Sequence, residues 1–494
     1  MKEVSRRKFM KYSLGSMAAL AVGSGLDWIK NEAIAAPRVN TLNFHITDAI
    51  KDMGTHNSIN TAQCYFWVYK EDRLPAESPG PTIFATEGDV IRINITNDLD
   101  EPHAFFIPGM FNSGPIAPGQ TVRKFFTAKN AGPHLYFDNL NQPVNRAMGL
   151  HGAIIVHPKA PAPGHKFTPY GKPTPAVQQL FDDFGSTAWW PGLAWEQGDP
   201  ATNTPPFRRH IWLFHQASPT LFAAVGNFTP GLDFPSGQFV QRFLHDDFSP
   251  TNNENIQGEV GSDIPRYFTI SGQSGHFSHN TPYINPTFRV GEPAVVHILN
   301  AGLMTISMHV HANHFFVTYF NGVVQENPIW VDVFNVYPMA IIDYTLPYMR
   351  PPDVPNVRGI GRADAGLPAG VSGGTTWPPN EEIRTFMPGP APAGVTPFQI
   401  VGNLTDGAGN SLGVQLSPLC YPAHDHSEPT QTSQGGNYNM GLIAGMNFIG
   451  DRNTPGAMNF PNQPLIHGPG PGSPFGVDGL IFPTAVQPPW FQEG

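Results

Sequence analysis

The stretch Gly88–Asn97, GDVIRINITN, decides the fold, and a second version, Gly291–Asn300, GEPAVVHILN, recurs much later in the chain. The first version alternates apolar and polar residues, which is typical of a strand with one buried face. In both versions the Asn follows the Gly by nine positions, and a Pro-Thr pair precedes the Gly, at Pro81-Thr82 and Pro286-Thr287. Internal repetition of this kind predicts two homologous domains built from short strands.

A later repeat sets the extent of these domains. Ala147–Gly152, AMGLHG, is echoed by Asn439–Gly445, NMGLIAG. The composition agrees with short strands joined by long loops, because only 13% of the residues are charged while Pro (53), Gly (51) and Phe (35) are abundant. The predicted organisation is all-β, with domains at 38–160 and 205–450, a linker or loop at 161–204, a Pro/Gly-rich loop at 345–395 and a Pro/Gly-rich tail at 451–494.

The N-terminus is interpreted as a targeting segment, not as part of the fold. Arg6-Arg7 precedes an apolar run at 12–25, and the small residues of Ala33–Ala36 follow as a cleavage site. Residues 1–36 therefore resemble a twin-arginine signal, which directs folded proteins to export. This predicts a periplasmic or extracellular protein.

Charge and hydropathy exclude some classes of partner. Residues 1–36 contain six basic and three acidic residues, so their removal takes the formal net charge from −10 to −13. An acidic chain lacks the clustered Lys and Arg that nucleic acid requires. No apolar stretch after the N-terminus is long enough to span a bilayer. The two cysteines, Cys64 and Cys420, are either bridged or two free thiols.

Two His-x-His pairs are the candidate metal ligands. They are His309/His311 and His424/His426. In an extended strand, residues i and i+2 point to the same face, so each pair presents two imidazoles together. The two pairs, if adjacent, offer four imidazoles to one metal. Imidazole suits copper, zinc, iron or nickel, so the ligand type alone does not select the metal.

The repeat gives these histidines a register. Counted from the shared Asn, His309 and His311 in the second domain correspond to Phe106 and Pro108 in the first. At the sixth position, the first domain has His103 and the second has Ile306. The later strands align Phe137-Asp138-Asn139 with His424-Asp425-His426. The first domain is therefore expected to keep the strands without the four imidazoles.

These motifs resemble the cupredoxin domains of the multicopper oxidase superfamily. GDVIRINITNDLDEP, at 88–102, is similar to the first strand of that family and the turn that follows it. Residues 300–315 resemble its HPxHxHGH motif, and residues 424–446 resemble its HCHxxxHxxxGM motif. The resemblance implies two Greek-key β-sandwich or barrel domains and a copper cofactor.

The resemblance also shows which copper ligands are missing. The family holds its type 1 copper with two His and a Cys, often with a weak axial Met, and holds three further coppers with eight His. Asp138 and Asp425 stand at the Cys position, Ile306 at the first type 1 His, and the second falls near Thr430. A thiolate is essential to a blue site, so a type 1 centre is not expected.

Several neighbouring residues have open roles. Asp425 and Glu428 either orient the imidazoles or relay protons, or they are solvated acids. His314 is either a further ligand or an ordinary core or surface histidine, and His103 is interpreted as a structural histidine. Met440 and Met446 are either soft axial contacts or core residues.

The predicted function is that of an exported copper-binding oxidoreductase with a reduced site of four His and no blue relay. The alternative is a non-catalytic copper-binding or scaffold protein of the cell envelope, and zinc or manganese remain alternative metals. Expected partners are a small-molecule or metal-ion reductant and dioxygen. Two-domain proteins of the superfamily often form trimers, so a homotrimer is a further expectation, weakened by the absence of ligands in the first domain.

Overall fold

The computed structural model describes the chain from residue 39 onward, with gaps, and the described residues belong to one compact unit, residues 39–494. The predicted targeting segment 1–36, Glu428 and Met440 lie outside the described residues. In the described part of the chain, no helix is long and apolar enough to cross a membrane. The described ranges are 39–54, 61–161, 163–183, 207–244, 263–279, 294–311, 313–346, 419–427 and 441–450, with the short pieces 281, 284–285, 287–289, 430 and 481–482.

Two sheets pack face to face in the first half of the chain. Ile91, Ile93 and Ile95 of the quoted strand are fully buried and alternate with partly exposed residues, as the sequence predicts. They share one core with residues of the opposite sheet, such as Ile154. The sheets run β2-β1-β4-β7 and β22-β3-β9-β8-β5-β6. The strands are β1 (Val39–Gly54), β2 (Thr61–Glu71), β3 (Thr82–Thr86), β4 (Val90–Asn97), β5 (Phe106–Ile107), β6 (Phe111–Asn112), β7 (Thr121–Thr127), β8 (Gly132–Phe137), β9 (His151–His157) and β22 (Ile481–Phe482).

A second pair of sheets follows the same plan. Its core joins Ile298 on one sheet to Met308 and Ala444 on the other. The sheets run β12-β11-β10-β14-β19-β16-β17 and β13-β21-β20-β15-β18. The strands are β10 (Arg208–Ala217), β11 (Tyr267–Ile270), β12 (Gln273–Ser274), β13 (Thr287–Arg289), β14 (Ala294–Asn300), β15 (Ile306–Val310), β16 (Phe315–Phe320), β17 (Val323–Val331), β18 (Val333–Val336), β19 (Ile341–Leu346), β20 (Leu419–Asp425) and β21 (Ile443–Gly450). The all-β prediction of two sandwiches is confirmed.

In the described ranges the helices are short and lie between the strands. They are α1 (Val144–Ala147), α2 (Pro175–Asp183), α3 (Pro219–Gly226), α4 (Ser236–Leu244) and α5 (Gly275–His279). Two of the segments that the sequence assigned to loops contribute regular structure. Helix α2 lies in the predicted linker, and β22 of the predicted tail pairs with β3 through Ile481 and Ile83.

The shared Asn has the same structural role in both sandwiches. The side-chain amide of Asn97 donates to the Glu101 carbonyl at 2.7 Å, and that of Asn300 donates to the Met304 carbonyl at 2.8 Å, four positions on in each case. Each Asn therefore folds the loop after its strand in the same way. This hydrogen bond explains why the Asn recurs at a fixed distance from the start of the strand.

In the first sandwich, the positions that correspond to the histidines are buried at the junction with the second sandwich. Phe137 packs edge-on against Phe106, with ring centroids 5.4 Å apart, and both belong to a buried cluster with Leu213 and Leu299 of the second sandwich. These positions are therefore committed to apolar packing. Cys64 is a buried free thiol, so it is not bridged to Cys420, whose side chain lies outside the described residues.

Candidate metal centre

The structure places the two His-x-His pairs on adjacent strands. In the antiparallel pairing of β15 with β20, His309 lies directly opposite His424. The corresponding pair in the first sandwich, Phe106 and Phe137, is also directly opposite. The alignment of the two copies made from the sequence is therefore confirmed as a structural equivalence.

Strand alternation places the imidazoles on the outer face of the sheet. Met308 and Val310 are buried in the core, so His309 between them points outward. His424 follows the core residue Ala423 in the same way and is itself 4% exposed. His311 and His426, at the ends of the two strands, are exposed. All four predicted ligands therefore share one face, with one half of the set more buried than the other.

The four rings lie close together. The ring centroids of His309 are 4.9 Å from His311, 5.7 Å from His424 and 4.8 Å from His426. His424 lies 4.9 Å from His311 and 5.2 Å from His426. With a metal–nitrogen distance of about 2.0 Å, two imidazoles on one tetrahedral ion have centroids about 5.1 Å apart. The ring spacing therefore fits a single metal ion held by four imidazoles.

Hydrogen bonds at the far nitrogens set the tautomers of two rings. Nδ1 of His309 donates to the Asp332 carbonyl at 3.1 Å, and Nδ1 of His424 donates to the Asp425 carbonyl at 2.9 Å. Each ring therefore keeps its Nε2 lone pair for another partner. Carbonyl groups that hold one imidazole nitrogen and leave the other as a ligand are the usual support of a metal-binding histidine.

One direct contact must open before four rings can bind a metal. Nε2 of His311 lies 2.7 Å from Nε2 of His424 and is the donor of that hydrogen bond, since Nδ1 of His424 already carries a proton. Among the described His, Cys, Asp and Glu side chains, no group of three or more is arranged to hold a metal as it stands. Metal binding therefore requires His311 to change its tautomer or to rotate. The ring spacing and the tautomers of His309 and His424 already suit a metal ion.

The electrostatics of the site favour neutral imidazoles. Burial lowers the pKa of His309, His311 and His424, and the neighbouring imidazoles lower it further. One carboxylate oxygen, Oδ2 of Asp332, lies 3.7 Å from Nδ1 of His309. Neutral rings have the free lone pairs that a metal ion needs.

Asp425 lies on the inner face of the sheet, between two outward histidines. It is fully buried, so it is not a solvated acid. Its carboxylate accepts the Ser307 N–H at 2.6 Å, the Ser427 N–H at 3.1 Å and the Thr430 hydroxyl at 2.6 Å, and it also accepts the Ser427 hydroxyl. It therefore ties β15 to the turn after His426. This geometry suits the positioning of the two His pairs better than proton transfer at them.

The remaining sequence candidates lie away from the four rings. His314 stacks on Trp330, with centroids 5.5 Å apart and planes 12° apart. Met446 is fully buried in the core of the second sandwich. His103 is buried and hydrogen-bonded to Asp138, as expected of a structural histidine.

Sequence reasoning missed Asp332 and Ser307, and it noted Thr430 only as the place near which the family's second type 1 His falls. Asp332 reaches His309 only because β18 pairs with β15, with Val333 opposite His309. The pairing partner of a strand is not encoded in the strand itself. The resemblance to the HCHxxxH motif, which places Thr430 four positions after His426, was the signal that pointed to this residue.

Comparisons with known proteins agree with the resemblance. Residues 74–161 match the family model of a multicopper oxidase domain. The chain is 30% identical over 145 residues to laccase-7 of Arabidopsis thaliana, covering 26% of this chain and 23% of the relative. It is 31% identical over 99 residues to L-ascorbate oxidase of Cucumis sativus, covering 17% and 16%. The matched stretches thus span less than a quarter of either relative.

A solved structure, the blue copper oxidase from Nitrosomonas europaea, is 15% identical with a TM-score of 0.46, and the match covers 83% of this chain and 86% of that one. Residues 74–161 therefore match a multicopper oxidase domain, and parts of the chain are similar to a laccase and to an L-ascorbate oxidase.

Proposed function

We propose that this protein is a copper-dependent oxidoreductase with a single four-imidazole site and no blue copper relay. The observation that supports this most is the convergence of His309, His311, His424 and His426 on one sheet face, at spacings that fit one ion. The same strands in the first sandwich contribute Phe106 and Phe137 instead. Drift alone would not be expected to spare both pairs in one sandwich.

Within this proposal, each part of the site has a role. The four imidazoles would hold the copper. The carbonyls of Asp332 and Asp425 hold two of the rings through Nδ1, which makes Nε2 the ligand atom once His311 turns away from His424. Bound copper would supply a one-electron redox centre that takes an electron from the reductant and passes it to dioxygen. The exposed His311 and His426 leave the outer side of the site open to a small reductant, either an organic molecule or a metal ion.

Oxygen consumption with a phenol, ascorbate or ferrous iron tests the activity. We expect copper-loaded protein to consume oxygen with at least one of these reductants, and His309→Ala/His424→Ala to abolish it. His314→Ala is a matched control, because His314 stacks on Trp330 and lies outside the four rings. Equal turnover by wild type and the double variant would reject the proposal.

A non-catalytic copper-binding or envelope scaffold protein is the second candidate. It is favoured by the buried aspartates at both cysteine positions, Asp138 and Asp425, each fully enclosed and hydrogen-bonded. These side chains have replaced the route by which the family passes electrons. Retained copper without turnover of any of the three reductants would select this candidate.

We also propose export by the twin-arginine route, on the strength of Arg6-Arg7 and the apolar run after it. Replacing both arginines with lysine is expected to keep the protein in the cytoplasm, as measured by cell fractionation.

We propose homotrimeric assembly separately, since the outer side of the histidine face is exposed at His311 and His426. Light scattering of the purified protein measures the mass directly.

A further inference from the structure

A second charged centre lies inside the first sandwich, at His103. This ring is fully buried, and its Nδ1 lies 2.7 Å from Oδ2 of Asp138, which is also fully buried. On the other side, its Nε2 lies 3.7 Å from Oε2 of Glu101. Trp67 packs against the ring, with centroids 5.1 Å apart. An imidazole thus lies between two carboxyl groups, away from water.

The hydrogen bonds assign the protons. Asp138 accepts the Leu140 N–H at 2.8 Å and the Asn145 side-chain N–H at 2.9 Å, so it is an acceptor and His103 donates from Nδ1. The Nε2 atom of His103 and Oε2 of Glu101 have no other hydrogen-bond partner. A bare nitrogen lone pair facing that oxygen would be repelled, whereas an N–H attracts it. The geometry therefore favours a doubly protonated His103.

Burial alone would lower the pKa of His103, but the hydrogen bonds and charges of Asp138 and Glu101 outweigh it and raise the pKa to about 9. This agrees with the assignment made from the geometry. In the second sandwich, Ile306 stands at the corresponding position, and the equivalent acid, Asp425, takes backbone and hydroxyl donors instead. Among the described residues, the first sandwich therefore has a buried acid beside a buried cation at these aligned positions, and the second sandwich has the acid alone.

Helix α1 connects this centre to the second sandwich. Asn145 on α1 donates to Asp138, and the next residue, Arg146, donates its guanidinium to the carbonyls of Ala301 and Gly302, the latter at 2.8 Å. Arg146 is 4% exposed, so this contact is enclosed within the junction. The segment that Arg146 binds precedes β15, the strand that carries His309.

We propose that the His103 imidazolium is a structural cation that fastens α1, and through Arg146 holds the segment before β15 of the second sandwich. Loss of the His103 proton leaves Asp138 and Glu101 as uncompensated buried acids and releases α1. The junction then loosens in alkali. This role needs no metal and does not depend on the proposed function.

The titratable groups around the ring come from several elements. Asp138 follows β8, and Glu101 follows β4 with Asp100 beside it, which is hydrogen-bonded to Glu101. On β2, burial raises the pKa of Tyr69 well above its usual value, and the Asp138 charge adds to this. Burial lowers the pKa of Arg146, on α1, to about 10. Among these described groups, Arg146 has the pKa nearest to that of His103, so it requires a separate test.

Nuclear magnetic resonance of the ring tests the charge. We expect the His103 imidazole signals of wild type to stay in the imidazolium form through neutral pH and to titrate near pH 9, well above the usual value of about 6.5. His103→Gln identifies the signals, and His45→Gln is the matched control, since His45 also lies between two acids, Asp72 and Asp98, but is partly exposed. A titration at the usual value in wild type would overturn the proposal, whether or not the variant folds.

Hydrogen exchange of the peptide 299–306 tests the link to the second sandwich. At neutral pH we expect about tenfold faster exchange in His103→Gln than in wild type, and in wild type an equal acceleration through about pH 9 after correction for intrinsic exchange. Arg146→Met is expected to accelerate this peptide while leaving the His103 titration unchanged, which separates the two steps. Unchanged exchange in both variants, or a wild-type peptide that stays protected beyond about pH 10, would contradict the link.

Discussion

Replacing Asp425 with alanine is expected to destabilise the second sandwich and disconnect the two His pairs. The buried carboxylate accepts the Ser307 N–H, the Ser427 N–H and two hydroxyls, those of Ser427 and Thr430. Hydrogen bonds to a charged group contribute about 1.5–3 kcal/mol each, and removing one partner from a buried polar group leaves the others unsatisfied. Allowing for relaxation around the vacated side chain, we expect Asp425→Ala to lower the free energy of unfolding by about 4 kcal/mol.

Chemical denaturation of wild type, Asp425→Ala and Thr430→Val measures this directly. Thr430→Val removes one hydroxyl donor at 2.6 Å and leaves the carboxylate with its other partners, so a loss of about 1 kcal/mol is expected. Copper affinity of Asp425→Ala should fall with stability, since Asp425 ties β15 to the turn after His426. A loss of less than about 1 kcal/mol in Asp425→Ala would refute the role of this carboxylate.

Three further substitutions test other parts of the fold. The His103 pKa of about 9 lies above its unfolded value of about 6.5. His103 therefore contributes about 3 kcal/mol to the free energy of unfolding below about pH 6.5, and this contribution disappears as the pH rises through about 9. Denaturation at several pH values should show this loss in wild type and not in His103→Gln. Phe137→Ala empties a buried position at the junction and should cost about 3 kcal/mol by chemical denaturation, whereas removing the exposed Phe125 should cost almost nothing. Tyr170→Phe removes the hydroxyl group that donates to Asp343 at 2.6 Å. It should lower the free energy of unfolding by about 2 kcal/mol, as measured by thermal unfolding, with no change in copper content.

The repeat made most of the candidate site predictable from the sequence. A fixed spacing from the shared Asn aligned His309 with Phe106, and strand alternation put both members of a pair on one face. Both features are local, because they depend only on residues within one strand and its preceding loop. The structure then shows the equivalent pairings, His309 opposite His424 and Phe106 opposite Phe137.

The parts that escaped prediction depend on contacts between distant segments. The carbonyl of Asp332 reaches His309 through a strand pairing that neither strand signals alone. The hydrogen bond between His311 and His424 depends on ring rotations and tautomers. Asn145 and Glu101 flank His103 because loops from separate strands meet there, and neither has a distinctive sequence pattern.

The proposed metal site is tested most directly by metal analysis combined with electron paramagnetic resonance. The sample is protein exported with its own N-terminal segment, compared with His309→Ala/His424→Ala. We predict about one copper per wild-type chain, with a non-blue signal and no strong absorption near about 600 nm, and no bound copper in the variant. Three or four coppers per chain, a blue signal, or equal copper content in the two proteins would contradict a single site held by these four imidazoles.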